Sequence, residues 1–227
     1  MPGVDVTACD VLRRAGAEGI GTALLLAAVV GSGIMAERLS GGNVGLALLA
    51  NALATAGALY ALIAALGPVC GAHFNPAVSL VMAWRGDLAW RDVPPYLAAQ
   101  VAGAIAGVWA AHAMFELPLL QVSIKVRSGL AQGFSEVVAS FGLILVIWLT
   151  SRRAPVTVPA AVAGYIAGAY WFTASTSFAN PAVTIARALS DTFAGIRPAD
   201  APLFIAAQIV GAVAAVMLCR WLDRERT

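Results

Sequence analysis

Long apolar stretches separated by short polar clusters dominate this chain. Six stretches approach or exceed the roughly 20 residues a helix needs to cross a hydrocarbon core: 14–35, 44–66, 93–115, 129–149, 156–175 and 201–222. Each is predicted to be a transmembrane helix. The first carries no small-residue cleavage site and exceeds the apolar core of a signal peptide, so it is expected to be retained.

Two segments interrupt this pattern in the same way. Asn75-Pro76-Ala77-Val78 and Asn180-Pro181-Ala182-Val183 repeat one polar break in an otherwise apolar chain. Asparagine is a preferred N-cap, and proline fits the first helical position because its missing N–H costs nothing there. Each box therefore predicts a helix start. The helices that follow, 77–84 and 182–189, are two or three turns long, about half a bilayer at ~1.5 Å per residue. Loop backbone cannot face lipid and survives at that depth only inside protein or beside a water-filled cavity. The simplest solution folds both segments in from opposite faces, with their N-termini meeting near the midplane. Two positive dipole ends, each of about half a charge, then point at one spot. The amides of Asn75 and Asn180 stand beside it as donors. Such a spot favours neutral polar solutes and repels cations, the hydrated proton included.

The chain also repeats itself. Ala17-Glu18 in the first stretch matches Ser135-Glu136 in the fourth, and the two boxes match next. The run from Tyr96 through Gln100 to Gly103 then matches the run from Phe204 through Gln208 to Gly211. Three landmarks keep their order in two halves of three spans each, so the halves enter the membrane from opposite faces. An inverted repeat of this kind places its functional site at the midplane where the halves meet. The whole chain, 1–227, is expected to form a single channel domain with repeats at 11–116 and 128–223.

Composition narrows the class. Charged residues make up 11% and apolar residues 60%, with mean hydropathy +0.84; a soluble domain is about a quarter charged. A net charge of +2 is too small and scattered for a nucleic-acid partner. Cys9, Cys70 and Cys219 show no disulfide or metal spacing. No Ser/His/Asp set, metal cluster or nucleotide loop is visible, so neither an enzyme nor a cofactor is expected. With six spans, Arg13, Arg14, Arg85, Arg91, Arg152, Arg153, Arg220, Arg224 and Arg226 share the side of the termini, against Arg38, Lys125, Arg127, Arg187 and Arg197 opposite. The positive-inside bias puts both termini in the cytoplasm of a multi-pass protein of the plasma (inner) membrane.

The paired boxes, the repeat, the context GAHFNPAVSL and the Gln-x-x-Gly of the third span resemble the aquaporin (major intrinsic protein) family over essentially the whole chain. The resemblance implies an all-α membrane protein with six transmembrane helices and two re-entrant half-helices in a 3+3 inverted repeat, the aquaporin fold. It also implies a homotetramer in the lipid bilayer, each protomer holding its own passive pore for water or, in one branch, glycerol-like or metalloid solutes.

Individual residues take roles from both readings. Glu18 and Glu136 are read as structural acceptors for the re-entrant loops rather than as proton carriers, and the resemblance implies the same. His73 is read as a loop anchor, and His112 and Trp109 as interfacial. The ladders Ala99/Gly103/Gly107 and Ala207/Gly211/Ala215 read as close helix packing. Cys70 is either a small buried filler or a thiol reachable from the pore.

The family's narrowest constriction, carried over by distance from the boxes, falls on Thr55, Gly168, Ser177 and Val183. A strict water channel of the family would show an aromatic, a histidine, a small residue and an arginine there. This chain has four uncharged residues of small or medium size, so the resemblance is to an aquaglyceroporin-like branch lacking the filter arginine, a type associated with arsenic resistance. Arg187 lies one turn beyond Val183 on the same face. It either lines the mouth of the vestibule or snorkels to the interface, and Phe178 could swing in and narrow the lumen. The expected function is a passive channel for small neutral solutes: water, glycerol-like polyols and metalloid hydroxides such as arsenite. The alternatives are a water-selective channel and, from another class, an ion-coupled secondary transporter.

Overall fold

The computed structural model describes residues 8–223; Arg224 and Arg226 lie outside them. The described chain forms eight α-helices: α1 (Ala8–Leu39), α2 (Val44–Cys70), α3 (Pro76–Arg85), α4 (Val93–Met114), α5 (Leu130–Arg153), α6 (Val158–Phe172), α7 (Pro181–Arg187) and α8 (Ala201–Asp223). Five of them, α1, α2, α4, α5 and α8, are long and apolar enough to cross a bilayer. The sixth, α6, has 15 residues and is entered through a single 3-10 turn, Pro155–Thr157. The sequence predicts this span through residue 175. The helix stops earlier because the chain must turn back toward the centre to begin the second re-entrant loop, and the Thr173 hydroxyl bonds the Ala169 carbonyl at that turn (2.6 Å). At 32 residues α1 is the longest, so its ends project beyond a core of about 30 Å.

Packing comes in matched pairs. The first helix packs most heavily on α4, and α5 on α8; α1 meets α2 as α5 meets α6. The half-helix α3 lies against α4 and also α8, while α7 lies against α8 and also α4. Contacts of α2 with α6 and of α3 with α7 join the halves. This is the inverted 3+3 repeat predicted from the landmarks. Each half-helix is wedged between the third span of its own half and that of the other.

Basic side chains are tied down at both ends of the bundle. Arg14 pairs with Asp92 (3.3 Å), Arg85 bonds Ser151 (2.8 Å), and Asp223 accepts from both Trp148 Nε1 (2.9 Å) and Arg152 at the end that carries the chain's ends. At the opposite end Arg38 donates to the Phe115 carbonyl (3.1 Å) and Lys125 to that of Phe193 (2.7 Å).

The small-residue ladders bring backbones into contact. A Cβ added at Gly103 or Gly107 of α4 would be driven into the carbonyls of Gly19 or Ala23 of α1, and one at Gly211 of α8 into the carbonyl of Val137 of α5. Carbonyls belonging to a neighbouring helix cannot swing aside as a flexible side chain can. Gly103→Val is therefore expected to destabilise the bundle by about 1–3 kcal/mol or more through overpacking. A lowered thermal midpoint of the detergent-solubilised protein would register it. An unchanged midpoint would mean that α1 and α4 are not so closely apposed.

Candidate functional site

The centre of the molecule is built from two helix starts. Asn75 accepts from the Ala77 N–H through its side-chain oxygen (2.9 Å), and Asn180 accepts from the N–H groups of Ala182 (3.0 Å) and Val183 (3.3 Å). Pro76 and Pro181 fill the first helical positions. Ala77 and Ala182, small and fully enclosed, let the two ends approach. Each asparagine then reaches across: Asn75 Nδ2 donates to the Ala179 carbonyl (2.7 Å), and Asn180 Nδ2 to the Phe74 carbonyl (2.8 Å). An amide nitrogen carries two N–H bonds. One of each pair holds the opposite loop, and the other remains for the cavity that both asparagines line.

The loops leading to these ends are held from behind. Glu18 on α1 accepts from the backbone N–H groups of His73 (2.8 Å) and Phe74 (2.7 Å). Glu136 on α5 accepts from those of Phe178 (2.9 Å) and Ala179 (2.8 Å). In each case the donors are the two residues immediately before the asparagine. Both carboxylates are fully buried, and the loops they hold run through left-handed backbone at Ala72, Phe74, Thr176, Ser177 and Ala179 (φ between 47° and 61°).

Sequence reasoning used Gln100 and Gln208 only as landmarks and overlooked what they do. The Gln100 amide donates to Glu18 (2.8 Å) and to the Ser79 hydroxyl (2.9 Å), and the Gln208 amide to Glu136 (2.6 Å) and the Thr184 hydroxyl (2.9 Å). A signal existed: Ser79 and Thr184 are each the fourth residue after their asparagine. His73 adds a side-chain contact between Nδ1 and Ser79 Oγ (3.1 Å), so its backbone and its ring both touch the anchoring network.

One cavity of about 480 Å³ runs along this centre. Arg14, Arg85, Asp87 and Ser151 line it at the end carrying the chain's ends, then His73, Asn75 and Asn180, with Val183 and Arg187 on the far side. Of the four residues read as the constriction, Thr55, Ser177 and Val183 line it and Gly168 does not. The cavity-facing stripe of α6 is Val158, Val162, Ile166 and Tyr170 at helical spacing, and Gly168 sits half a turn away, exposed on the outside beside Phe172. Tyr170 occupies the wall instead, its hydroxyl donating to Thr55 Oγ1 (3.2 Å).

Four other residues depart from expectation or resolve it. Arg187 does not snorkel: it lines the far part of the cavity while only 2% exposed, with Nε donating to the Ala194 carbonyl because the loop after α7 folds over it. Phe178 does not swing freely, being stacked under the Arg187 guanidinium (3.4 Å to the ring centroid) and edge-on to Phe204 (5.0 Å). His112 is buried rather than interfacial, with Nδ1 at the Leu119 carbonyl (3.1 Å) and Nε2 at Ser190 Oγ (2.9 Å) in the same covering loop. Cys70 lines the cavity, its thiol donating to the Leu66 carbonyl and accepting from the Ala72 N–H, both at 3.4 Å. At the outer end, burial and nearby Arg127 push the Lys125 amine down to about 8.

Known proteins resemble this chain in sequence and in fold. The family described as Major intrinsic protein matches residues 5–170. The chain is 57% identical over 213 residues to "Aquaglyceroporin AqpS" of Rhizobium meliloti (strain 1021), covering 94% of this chain and 91% of that protein. It is 30% identical over 240 aligned residues to "Probable aquaporin AqpM" of Archaeoglobus fulgidus, covering 94% and 98%. The X-ray structure of the aquaglyceroporin from Plasmodium falciparum superposes with a TM-score of 0.70 at 21% identity, covering 94% of this chain and 96% of that one. At that identity the likeness concerns the fold.

Glu136→Gln is expected to lower stability by about 1.5–3 kcal/mol, because charge-assisted bonds from Phe178, Ala179 and Gln208 become neutral or lose their acceptor. Glu18→Gln should behave alike. Thermal unfolding in detergent measures both. A fully stable Glu136→Gln protein that had lost transport would reassign the residue to the conduction path.

Proposed function

This chain belongs to the major intrinsic protein family, and from that premise we propose that it is a passive pore for glycerol-sized neutral solutes as well as water, with a filter that is wide and uncharged at Val183. The protein is a multi-pass membrane channel and not an enzyme. The observation that carries the proposal is the pair of reciprocal Asn75 and Asn180 bonds in the middle of one cavity. Two helix N-termini and two spare amide donors there attract oxygen-bearing neutral solutes and repel cations. Ladders of fixed donors lower the cost of dehydrating a solute without coupling its passage to another ion.

Thr55, Ser177 and Val183 support the wide range, since none brings charge or a long donor-bearing chain into the lumen. AqpS, a relative along 94% of the chain, is named an aquaglyceroporin. Trivalent arsenite, a neutral trihydroxide of glycerol-like size, fits the same chemistry. Tyr170 favours the water-selective reading, because its ring stands where the sequence placed a glycine and its bond to Thr55 holds it against the wall. The lumen is lined within one chain, so each protomer of the homotetramer that the family resemblance implies would hold its own pore. The basic residues gathered at the end carrying the chain's ends support cytoplasmic termini.

Stopped-flow measurements on liposomes separate these readings. Water, glycerol and arsenite are each expected to equilibrate down their gradients at rates indifferent to proton or sodium gradients. Sustained accumulation against a gradient would replace the channel by an ion-coupled transporter, and passage of water alone would establish the selective reading.

Val183→Arg is expected to suppress glycerol flux far more than water flux. The long side chain fills the lumen beside Asn180, while water is small enough to slip past. Equal glycerol flux in Val183→Arg and the parent would mean that Val183 does not set the width.

A further inference from the structure

Among the described residues Arg187 is the one fully buried arginine that lines the cavity, and its surroundings do not account for it. Among the described residues no carboxylate forms an ion pair with it. Its single hydrogen bond uses Nε, on the Ala194 carbonyl. A guanidinium has five N–H donors, so four, on the two terminal nitrogens, have no partner within the described protein. An uncompensated charge is costly to bury in an apolar interior and is tolerated where it faces water or a passing ligand. Ser177, which also lines the cavity, has an Oγ without a hydrogen-bond partner as well. Two unpaired polar groups therefore belong to the same lumen wall.

We propose that Arg187 is a specificity-determining residue: it supplies the fixed positive charge and paired donors that Val183 lacks, displaced one helical turn outward and held in place by Phe178. The displacement follows from α7 itself, since the fourth residue on stacks over Val183 on the same face. Phe178 provides a flat platform, with the Arg187 guanidinium 3.4 Å from its ring centroid, and Phe204 braces that ring edge-on (5.0 Å, 74°). Arg127 lies over the same ring (5.0 Å) while donating to the Gly195 and Ser175 carbonyls. The outer part of the pore thus holds two arginines on one ring, and the acid that acts on both, Glu136, is spent on the loop N–H groups of Phe178 and Ala179 rather than paired with either. Its ligand is a neutral solute whose oxygens accept from the guanidinium, and a monovalent cation is turned away. Moving the arginine outward leaves the Val183 level wide while the electrostatic barrier remains.

The inference rests on the channel reading above, and one set of liposome measurements distinguishes the failure of either. Water and glycerol flux are read by stopped-flow light scattering, and sodium leak by an entrapped sodium indicator. Arg187→Gln keeps a donor for the Ala194 carbonyl but removes the charge. It is expected to assemble, conduct water, and leak sodium faster than the parent by about tenfold or more, as loss of a short-range repulsion would produce. Arg187→Lys keeps the charge but not the planar fork, so it should stay sodium-tight while its glycerol-to-water ratio falls. Phe178→Leu removes the platform and should leak sodium with Arg187 still present. If Arg187→Gln fails to assemble, Arg187→Lys and Phe178→Leu decide alone. Sodium tightness and an unchanged glycerol-to-water ratio in every assembled variant, or equal leak in Arg187→Lys and Arg187→Gln, would assign Arg187 a purely structural role. A parent protein that passes neither water nor glycerol would overturn the channel reading instead.

Discussion

Backbone N–H groups at the middle of a bilayer have no water to bind, and the rest of this fold follows from supplying them with acceptors. Two half-helices that begin at the midplane leave the loops before them with just such groups. Glu18 and Glu136 accept from two apiece. A carboxylate in that position must itself be satisfied, and Gln100 and Gln208 reach it from the third span of each half. The same glutamines bond Ser79 and Thr184, one turn inside the half-helices, so each anchor ties three elements together. The glycine contacts that let α1 meet α4, and α5 meet α8, bring carboxylate and glutamine within reach.

The loops store strain that these bonds offset. Five non-glycine residues next to the boxes sit in left-handed backbone, at about 1–3 kcal/mol each. Without the carboxylates an extended path would be easier, but it would move the helix starts away from each other. The outer loop after α7 does comparable work with different means. His112 and Arg187, both buried, take up the Ser190 hydroxyl and the Ala194 carbonyl, and Lys125 takes up the Phe193 carbonyl.

Much of this was legible in the sequence because its causes are local. A cap followed by proline starts a helix wherever it occurs, and an acid inside an apolar span needs a donor. Hence the boxes, Glu18, Glu136 and the six spans could be read from residue order, with boundaries shifted by a few residues. Gly168 failed for a physical reason: its position was counted back from Asn180 across a loop whose left-handed residues break any fixed relation to helix phase. Tyr170 faces the cavity because α6 is rotated to present Val158, Val162 and Ile166. His112 was misjudged because the loop that buries it, with Ser190, comes much later along the chain, and no short-range pattern announces its path.

The two asparagine bonds that join the halves end on main-chain carbonyls, those of Ala179 and Phe74. A carbonyl is common to every amino acid, so the joint specifies the course of the chain and by itself asks for no particular side chain at either receiving position. The lumen can therefore be re-lined, made wider or narrower, more polar or less, while the junction that holds it open keeps the same two bonds.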